Sequence, residues 1–136
     1  MPIYSWVIST SPLEEKKTIK RIKGDYITRV IVRFPPGPQA LLHVRFYYGD
    51  MQIFPEEVGT DFADDDLKIE WEEFFKLDEQ PFPLTVWTKN EDDTYPHKVY
   101  IYVATKYKNE LLAEQIANSI RKAMRGIFRA VGLLFG

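Results

Sequence analysis

Hydrophobic and polar residues alternate along most of the first hundred positions, with the period of two that a half-buried β-strand requires. The clearest run begins at His97 and places Val99, Ile101 and Val103 on one face and two tyrosines on the other. Short polar residues and Pro96 precede this run and favour a turn. We therefore predict a hairpin at residues 90–97 that leads into the last strand.

Further alternating runs are separated by glycine, proline and aspartate, and the run at 26–34 predicts an inward face of Thr28, Val30, Val32 and Phe34. About eight short strands at this spacing favour a two-sheet sandwich, for which a jelly roll is the natural eight-stranded arrangement. The predicted fold class is mainly β, an eight-stranded antiparallel jelly-roll-like β-sandwich followed by a long C-terminal amphipathic α-helix. Besides the last strand, the predicted strands cover residues 3–8, 18–22, 26–34, 41–48, 51–54, 67–71 and 84–88.

The period changes near the C-terminus, where apolar residues recur at alternating steps of three and four from Ala113 onward. This spacing forms a heptad stripe along one face of a helix. The chain thus divides into a β-sandwich domain at 1–106 and a C-terminal helix at 107–136 that serves assembly or anchoring. The predicted oligomerisation residues are Ala117, Ile120, Met124, Ile127, Val131 and Leu134.

Three partners for this stripe fit the sequence: the chain's own sandwich, other copies of the chain, or the surface of a membrane. Self-association into a homo-oligomer is favoured, because the stripe runs the full length of the helix and a closed sandwich leaves little open core. Membrane contact through the helix is the less favoured alternative, supported by basic residues opposite the stripe.

The charge distribution separates the two parts of the chain. The 136 residues carry a formal net charge of -2, but the residues from Tyr107 onward hold five cations and two anions, a net +3 that leaves -5 for the rest. An acidic sandwich argues against a nucleic-acid partner, which would require a basic face. Neither a signal peptide nor a stretch long enough to span a bilayer is recognisable.

Few residues suggest a catalytic, phosphate-binding or metal-binding site. The chain has no cysteine, its histidines are His43 and His97, and no GxSxG elbow or phosphate-binding glycine loop is present. Carboxylates cluster in predicted loops at 56–66, 70–73 and 91–93, where oxygen ligands could converge on calcium, but a solvated acidic rim is the favoured interpretation. We therefore expect no enzyme, no cofactor and no metal.

Aromatic residues offer a different kind of candidate site. Four of them alternate with core-facing residues and are expected on an outer sheet face, where grouped rings would mark a partner or sugar surface. Burial under the helix or a neighbouring subunit would explain the same pattern. These candidates are Tyr47, Trp87, Tyr100 and Tyr102.

Five segments stand out within residues 15–104: GDYITRV (24–30), FPPG (34–37), HVRFYYGDMQIFP (43–55), LKIEWEEFFKL (67–77) and NEDDTYPHKVYIYV (90–103). With these segments, residues 15–104 resemble a small domain that recurs in the structural-gene regions of tailed viruses of bacteria and archaea. The resemblance implies a jelly-roll-like sandwich in the virion, as a capsid decoration, turret or fibre-anchoring subunit whose partners are itself and other virion proteins. No catalytic residue follows from it. The alternative is a carbohydrate- or receptor-binding module, and a weaker one is a host protein attached to a membrane surface.

Overall fold

Eight β-strands are followed by one long α-helix in a computed structural model that describes residues 2–135, and side chains as far as residue 132. A single residue, Tyr107, separates the last strand from the helix. The strands are β1 (Ile3–Thr10), β2 (Glu15–Ile22), β3 (Tyr26–Phe34), β4 (Leu42–Tyr48), β5 (Met51–Phe54), β6 (Leu67–Lys76), β7 (Phe82–Asn90) and β8 (His97–Lys106), and the helix is α1 (Lys108–Phe135).

The strands form two antiparallel four-stranded sheets. The first sheet has the order β1-β8-β3-β6 and the second sheet the order β2-β7-β4-β5. Only β4 and β5 are both consecutive and paired, so every other connection crosses from one sheet to the other. This is the arrangement of a jelly roll. The predicted fold class, mainly β with eight strands and a C-terminal helix, is confirmed.

The inward faces of the two sheets enclose one hydrophobic core. Val99, Ile101 and Val103 of β8 are fully buried, as the alternation predicts, and they belong to the same cluster as residues of β4 and β7 in the opposite sheet. A ring of phenylalanines continues the core towards β5 and β6, where Phe46 and Phe54 pack edge to face at 5.9 Å. The core therefore joins both sheets through contacts between residues distant in the sequence.

The predicted inward face of β3 is wrong at its first residue, Thr28. Ile27 is fully buried whereas Thr28 is only half-buried, although Val30, Val32 and Phe34 point inward as expected. Ile27 pairs with Thr105 and Arg29 pairs with the adjacent Ala104, so Thr28 is an extra residue in β3. A bulge of this kind shifts the alternation by one position.

The predicted hairpin before the last strand is also wrong, because β7 and β8 lie in different sheets. The loop crosses the end of the sandwich and is ordered by the buried side chain of Asn90. Its Nδ2 donates to the carbonyl oxygens of Thr10 at 3.1 Å and Tyr95 at 2.9 Å, and its Oδ1 accepts from the Asp92 N–H at 2.9 Å. Turn-forming residues suit an inter-sheet crossing as well as a hairpin, so local sequence does not separate the two.

A second loop, at residues 35–41, lies at the same end of the sandwich and is held by one carboxylate. Asp65 Oδ1 accepts hydrogen bonds from the backbone N–H groups of Gly37 at 2.8 Å and Gln39 at 2.9 Å. Gln39 and Ala40 have left-handed backbone conformations, with φ of 49° and 62°, which non-glycine residues adopt only when their surroundings impose them. The N–H groups of Gln39 and Gly37 hold the pKa of Asp65 below its usual value.

Replacing Ile101 with alanine tests the central core. Because Ile101 is fully buried, Ile101→Ala should lower the free energy of unfolding by about 2–4 kcal/mol through lost burial and the cavity left behind. Urea unfolding followed by circular dichroism measures the change. Val7→Ala, at a position that is 52% exposed on β1, is the control and should cost about 0.5 kcal/mol or less. Equal effects of the two substitutions would contradict this assignment of faces.

Asp65→Asn tests the loop at 35–41 through its pH dependence. The pKa of Asp65 is lowered on folding, so its carboxylate stabilises the fold above the ordinary aspartate pKa of about 3.9. That stabilisation is lost as pH falls through the lower folded-state value. Thermal melts should therefore show a lower Tm for Asp65→Asn at pH 7 and a difference that shrinks below about pH 4. Asp50→Asn, in the exposed β4–β5 turn, should leave the pH profile unchanged, and a constant Tm difference for Asp65→Asn would refute the assignment.

Candidate assembly surface

The helix leaves the sandwich at the end of β8 through a compact junction around Gly24 and Asp25. Asp25 Oδ2 accepts a hydrogen bond from the backbone N–H of Lys108 at 2.6 Å, at the beginning of α1, where a carboxylate satisfies an otherwise unpaired N–H and complements the helix dipole. The Asp25 N–H donates to the carbonyl of Lys106 at 2.9 Å. A side chain at Gly24 would not fit, because its Cβ would lie 2.7 Å from the Cβ of Thr105. Asp25 thus fixes where the helix begins.

Two further residues in the first turns of α1 lie beside the sandwich. Lys106 Nζ forms an ion pair with Glu114 Oε1 at 2.6 Å. Leu111 is half-buried and lines a cleft of about 420 Å³ with residues of the first sheet. At about 100° per residue, Ile120 lies nine residues beyond Leu111 and therefore about 180° around the helix. From residue 112 to 132 every helix residue except Ala117 is exposed, so the chain's own sandwich does not cover the apolar stripe.

The stripe is exposed along the described part of the helix. Ile120 is 55% exposed, Ile127 62% and Phe128 67%, with Met124 and Val131 also exposed. Ala117 is half-buried beside Glu114 and Arg121. The side chain of Leu134 lies outside the described residues. The structure therefore brings the predicted oligomerisation residues of 117–131 onto one open face, widened by Leu112 and Ile116.

The opposite side of α1 is cationic. Arg121, Lys122, Arg125 and Arg129 follow one another without an intervening acidic residue, and Arg121 Nη1 donates to Asn118 Oδ1 at 3.2 Å. Within the part of the chain that is described, no helix combines the length and apolar character needed to cross a membrane. Helices that lie on membrane surfaces show a cationic side opposite an apolar side, and so do helices in bundles.

Tyr47 and Trp87 lie on the outer face of the second sheet. Trp87 is 8% exposed because its own neighbours cover it: the Arg45 guanidinium is 4.5 Å from the ring centroid, and Nε1 donates to Glu15 Oε1 at 2.7 Å. The Lys17 ammonium lies 5.8 Å from the Tyr47 ring. Because a charged side chain lies over each ring, Tyr47 and Trp87 do not form a free apolar patch.

Tyr100 and Tyr102 lie on the outer face of the first sheet, on the other side of the sandwich. Both are half-buried, and the Arg33 guanidinium is 5.8 Å from the Tyr100 ring. The four aromatic candidates consequently divide into two pairs on opposite faces. They do not form one binding surface.

The acidic segments are used mainly for structure. Glu70 and Glu72 lie within β6, which corrects the predicted loop at 70–73: alternation with Ile69 and Trp71 places these glutamates on the solvent side of a strand. Glu70 pairs with Arg29 at 3.3 Å. No group of three or more histidine, aspartate or glutamate side chains among the described residues is arranged to hold a metal.

Each histidine contacts carboxylates. His97 Nε2 lies 2.7 Å from Asp92 Oδ2. The His43 ring has Asp61 Oδ2 3.0 Å from Nδ1 and Glu91 Oε2 3.2 Å from Nε2. These contacts link β4 and β8 to the neighbouring loops, and the sequence alone did not indicate them. It also did not identify Asp25 as the helix cap, because Gly24 and Asp25 read only as a turn.

Comparison with known proteins shows likeness at the level of fold. Neither a protein-family model nor a curated protein matches the chain. A de novo designed double-stranded β-helix is 17% identical over 74% of this chain and 99% of its own, with a TM-score of 0.38. A protein from Bacillus endospore appendages, described as a family of disulfide-linked pili, is 12% identical over 79% and 88%, with a TM-score of 0.45. The mitogen from Yersinia pseudotuberculosis is 9% identical over 76% and 86%, also with a TM-score of 0.45. At this degree of similarity none of them assigns a function.

Proposed function

We propose that this protein is a non-enzymatic structural subunit that self-assembles through α1 and displays its jelly-roll sandwich. The observation that carries the proposal is that the apolar stripe is uncovered: from residue 112 to 132 every helix residue except Ala117 is exposed, so the sandwich of the same chain does not bury the stripe. The stripe therefore needs a partner from outside the chain.

The size of the stripe supports an assembly role. Seven large apolar side chains of α1 are at least 43% exposed, namely Leu112, Ile116, Ile120, Met124, Ile127, Phe128 and Val131. Full burial of one such side chain contributes about 1.5–3 kcal/mol, and a helix gains most of its stability from packing its apolar face. Heptad spacing along the stripe matches the seam of a helical bundle, so another copy of α1 is the partner of best fit.

The particle to which the subunit belongs is proposed from the sequence resemblance. A jelly roll with an assembly helix at one end suits a capsid decoration, turret or fibre-anchoring protein of a virion, with other virion proteins as additional partners. The resemblance covers the sandwich and stops before the helix.

Membrane attachment is the second candidate function. The observation that favours it is the set of four cations at positions 121, 122, 125 and 129, opposite the apolar stripe. Helices with this distribution bind anionic lipid surfaces by burying their apolar side. The two proposals predict different behaviour of the full chain without lipid: self-association makes it an oligomer, whereas membrane attachment leaves it a monomer.

Two aspartates in the stripe test self-association. Full-length protein should sediment as an oligomer, and Ile120→Asp with Ile127→Asp should sediment as a monomer, because a charge facing an apolar seam is costly to bury. The β-type circular dichroism signal and the melt of the sandwich should be unchanged. A chain ending at Lys106 should behave as the same folded monomer.

The matched control places two negative charges on the polar side of α1, as Gln115→Asp with Asn118→Asp, and should remain oligomeric. Loss of the folded sandwich in the Ile120 and Ile127 variant would instead assign the helix to its own core. A wild-type chain that is monomeric and floats with anionic liposomes would replace self-association by membrane attachment.

A further inference from the structure

The end of the sandwich opposite the helix carries a cleft that the assembly role does not use. It has a volume of about 610 Å³ and lies between the loop at 36–41 and the loop at 92–97. β8 begins at His97 beside this cleft and ends at Lys106 beside the helix. Ten residues of strand extend about 30 Å, so the cleft and the root of α1 occupy opposite ends of the sandwich.

Both loops that form the walls of the cleft are held in place by hydrogen bonds. Asp65 fixes the wall that contains Gln39, as described above. On the other wall Asp92 Oδ1 accepts from the N–H groups of Thr94 at 2.9 Å and Tyr95 at 3.3 Å, and the carbonyl of Tyr95 accepts from Asn90. A site with its backbone already ordered loses little conformational entropy when a ligand binds.

The cleft presents to solvent an aromatic ring and polar groups that have no partner within the described protein. Tyr95 is 65% exposed although its backbone is fixed on both sides. Neither the Tyr95 hydroxyl nor the Gln39 side-chain amide forms a hydrogen bond with another described residue. A large exposed ring on an ordered loop is a feature of binding surfaces, where its apolar face and polar tip can both be used.

We propose that this distal cleft binds a neutral saccharide, which stacks a pyranose ring on Tyr95 and directs hydroxyl groups towards Gln39 and Thr94. A pyranose combines an apolar C–H face with hydroxyls that both donate and accept, and a side-chain amide likewise offers a donor and an acceptor. The volume lies in the range typical of ligand sites. Among the described residues no lysine or arginine lines the cleft, and its one histidine, His97, already contacts the Asp92 carboxylate at 2.7 Å. A sulfated, phosphorylated or sialylated sugar would therefore lack a free cationic partner.

The cleft lies at the end of the sandwich that an assembled subunit would expose to its surroundings. In a bundle of α1 helices the clefts of all copies would lie at the free ends of the sandwiches, and several weak sites would act together on a glycosylated surface. Only this multivalent effect rests on the proposed self-association. Binding of one soluble saccharide by one subunit does not.

The test begins with fluorescently labelled full-length protein on an array of neutral oligosaccharides ending in glucose, galactose, mannose or N-acetylglucosamine, with sialylated and sulfated glycans alongside. The strongest soluble neutral sugar is then titrated calorimetrically. We expect binding that Tyr95→Ala weakens by about tenfold or more and Tyr95→Phe preserves, because the phenyl ring retains the stacking face.

Tyr107→Ala is the matched control, since Tyr107 is also an exposed tyrosine but lies at the helix root, and it should bind like wild type. Sedimentation of the same samples reports self-association independently, so failure of one proposal does not conceal failure of the other. Absence of binding to every neutral glycan, equal binding by Tyr95→Ala, or preference for the anionic glycans would each overturn the proposal.

Discussion

Packing of the two sheets against each other is the interaction on which the rest of the molecule depends. Fully buried Val30, Val32, Ile101 and Val103 from the first sheet share one core with buried residues of the second. Because nearly every connection crosses between the sheets, neither sheet can be removed without disrupting the order of the other. The loops at one end and the helix junction at the other are held by strands that this core aligns.

The same closure explains why the helix remains outside. Each sheet uses its inner face for the core and covers much of its outer face with long polar side chains, such as Arg45 over Trp87 and Arg33 near Tyr100. Asp25, Lys106 and Leu111 fix the root of the helix instead, and its apolar side faces outward. The proposed role in assembly rests on this exposed apolar side.

The two ends of the sandwich have different chemical characters. At the helix end a carboxylate caps α1 and the polar junction is tightly packed around Gly24. At the far end two loops are ordered by hydrogen bonds that Asp65 and Asp92 accept and that Asn90 donates, while Tyr95 remains exposed. β8 connects these ends directly, so a subunit anchored through its helix would present the distal cleft to its surroundings.

Much of the fold could be predicted from the sequence because its signals are local. The alternation in β8, the strand at 26–34, the Gly49 turn and the heptad stripe each depend on neighbours along the chain. Strand limits were less accurate at β2, β6 and β7, which extend to 15–22, 67–76 and 82–90. Consecutive charged residues in β2 and β6 and Pro83 in β7 interrupt the alternating pattern there. The stripe of the candidate assembly site was found in the same way, whereas Asp25 and the distal cleft were not.

By itself the sequence determined which segments are strands, which is the helix, and which side of each is apolar, since these follow from residue spacing and side-chain polarity. Tertiary structure alone decided that β7 crosses to the other sheet before β8, that a bulge at Thr28 turns Ile27 inward, and that the four aromatic candidates lie on opposite faces. It also decided that Tyr95 and Gln39 line one cleft and that the sandwich leaves the stripe of α1 uncovered. These features depend on contacts between residues far apart in the chain, which spacing along the sequence does not encode.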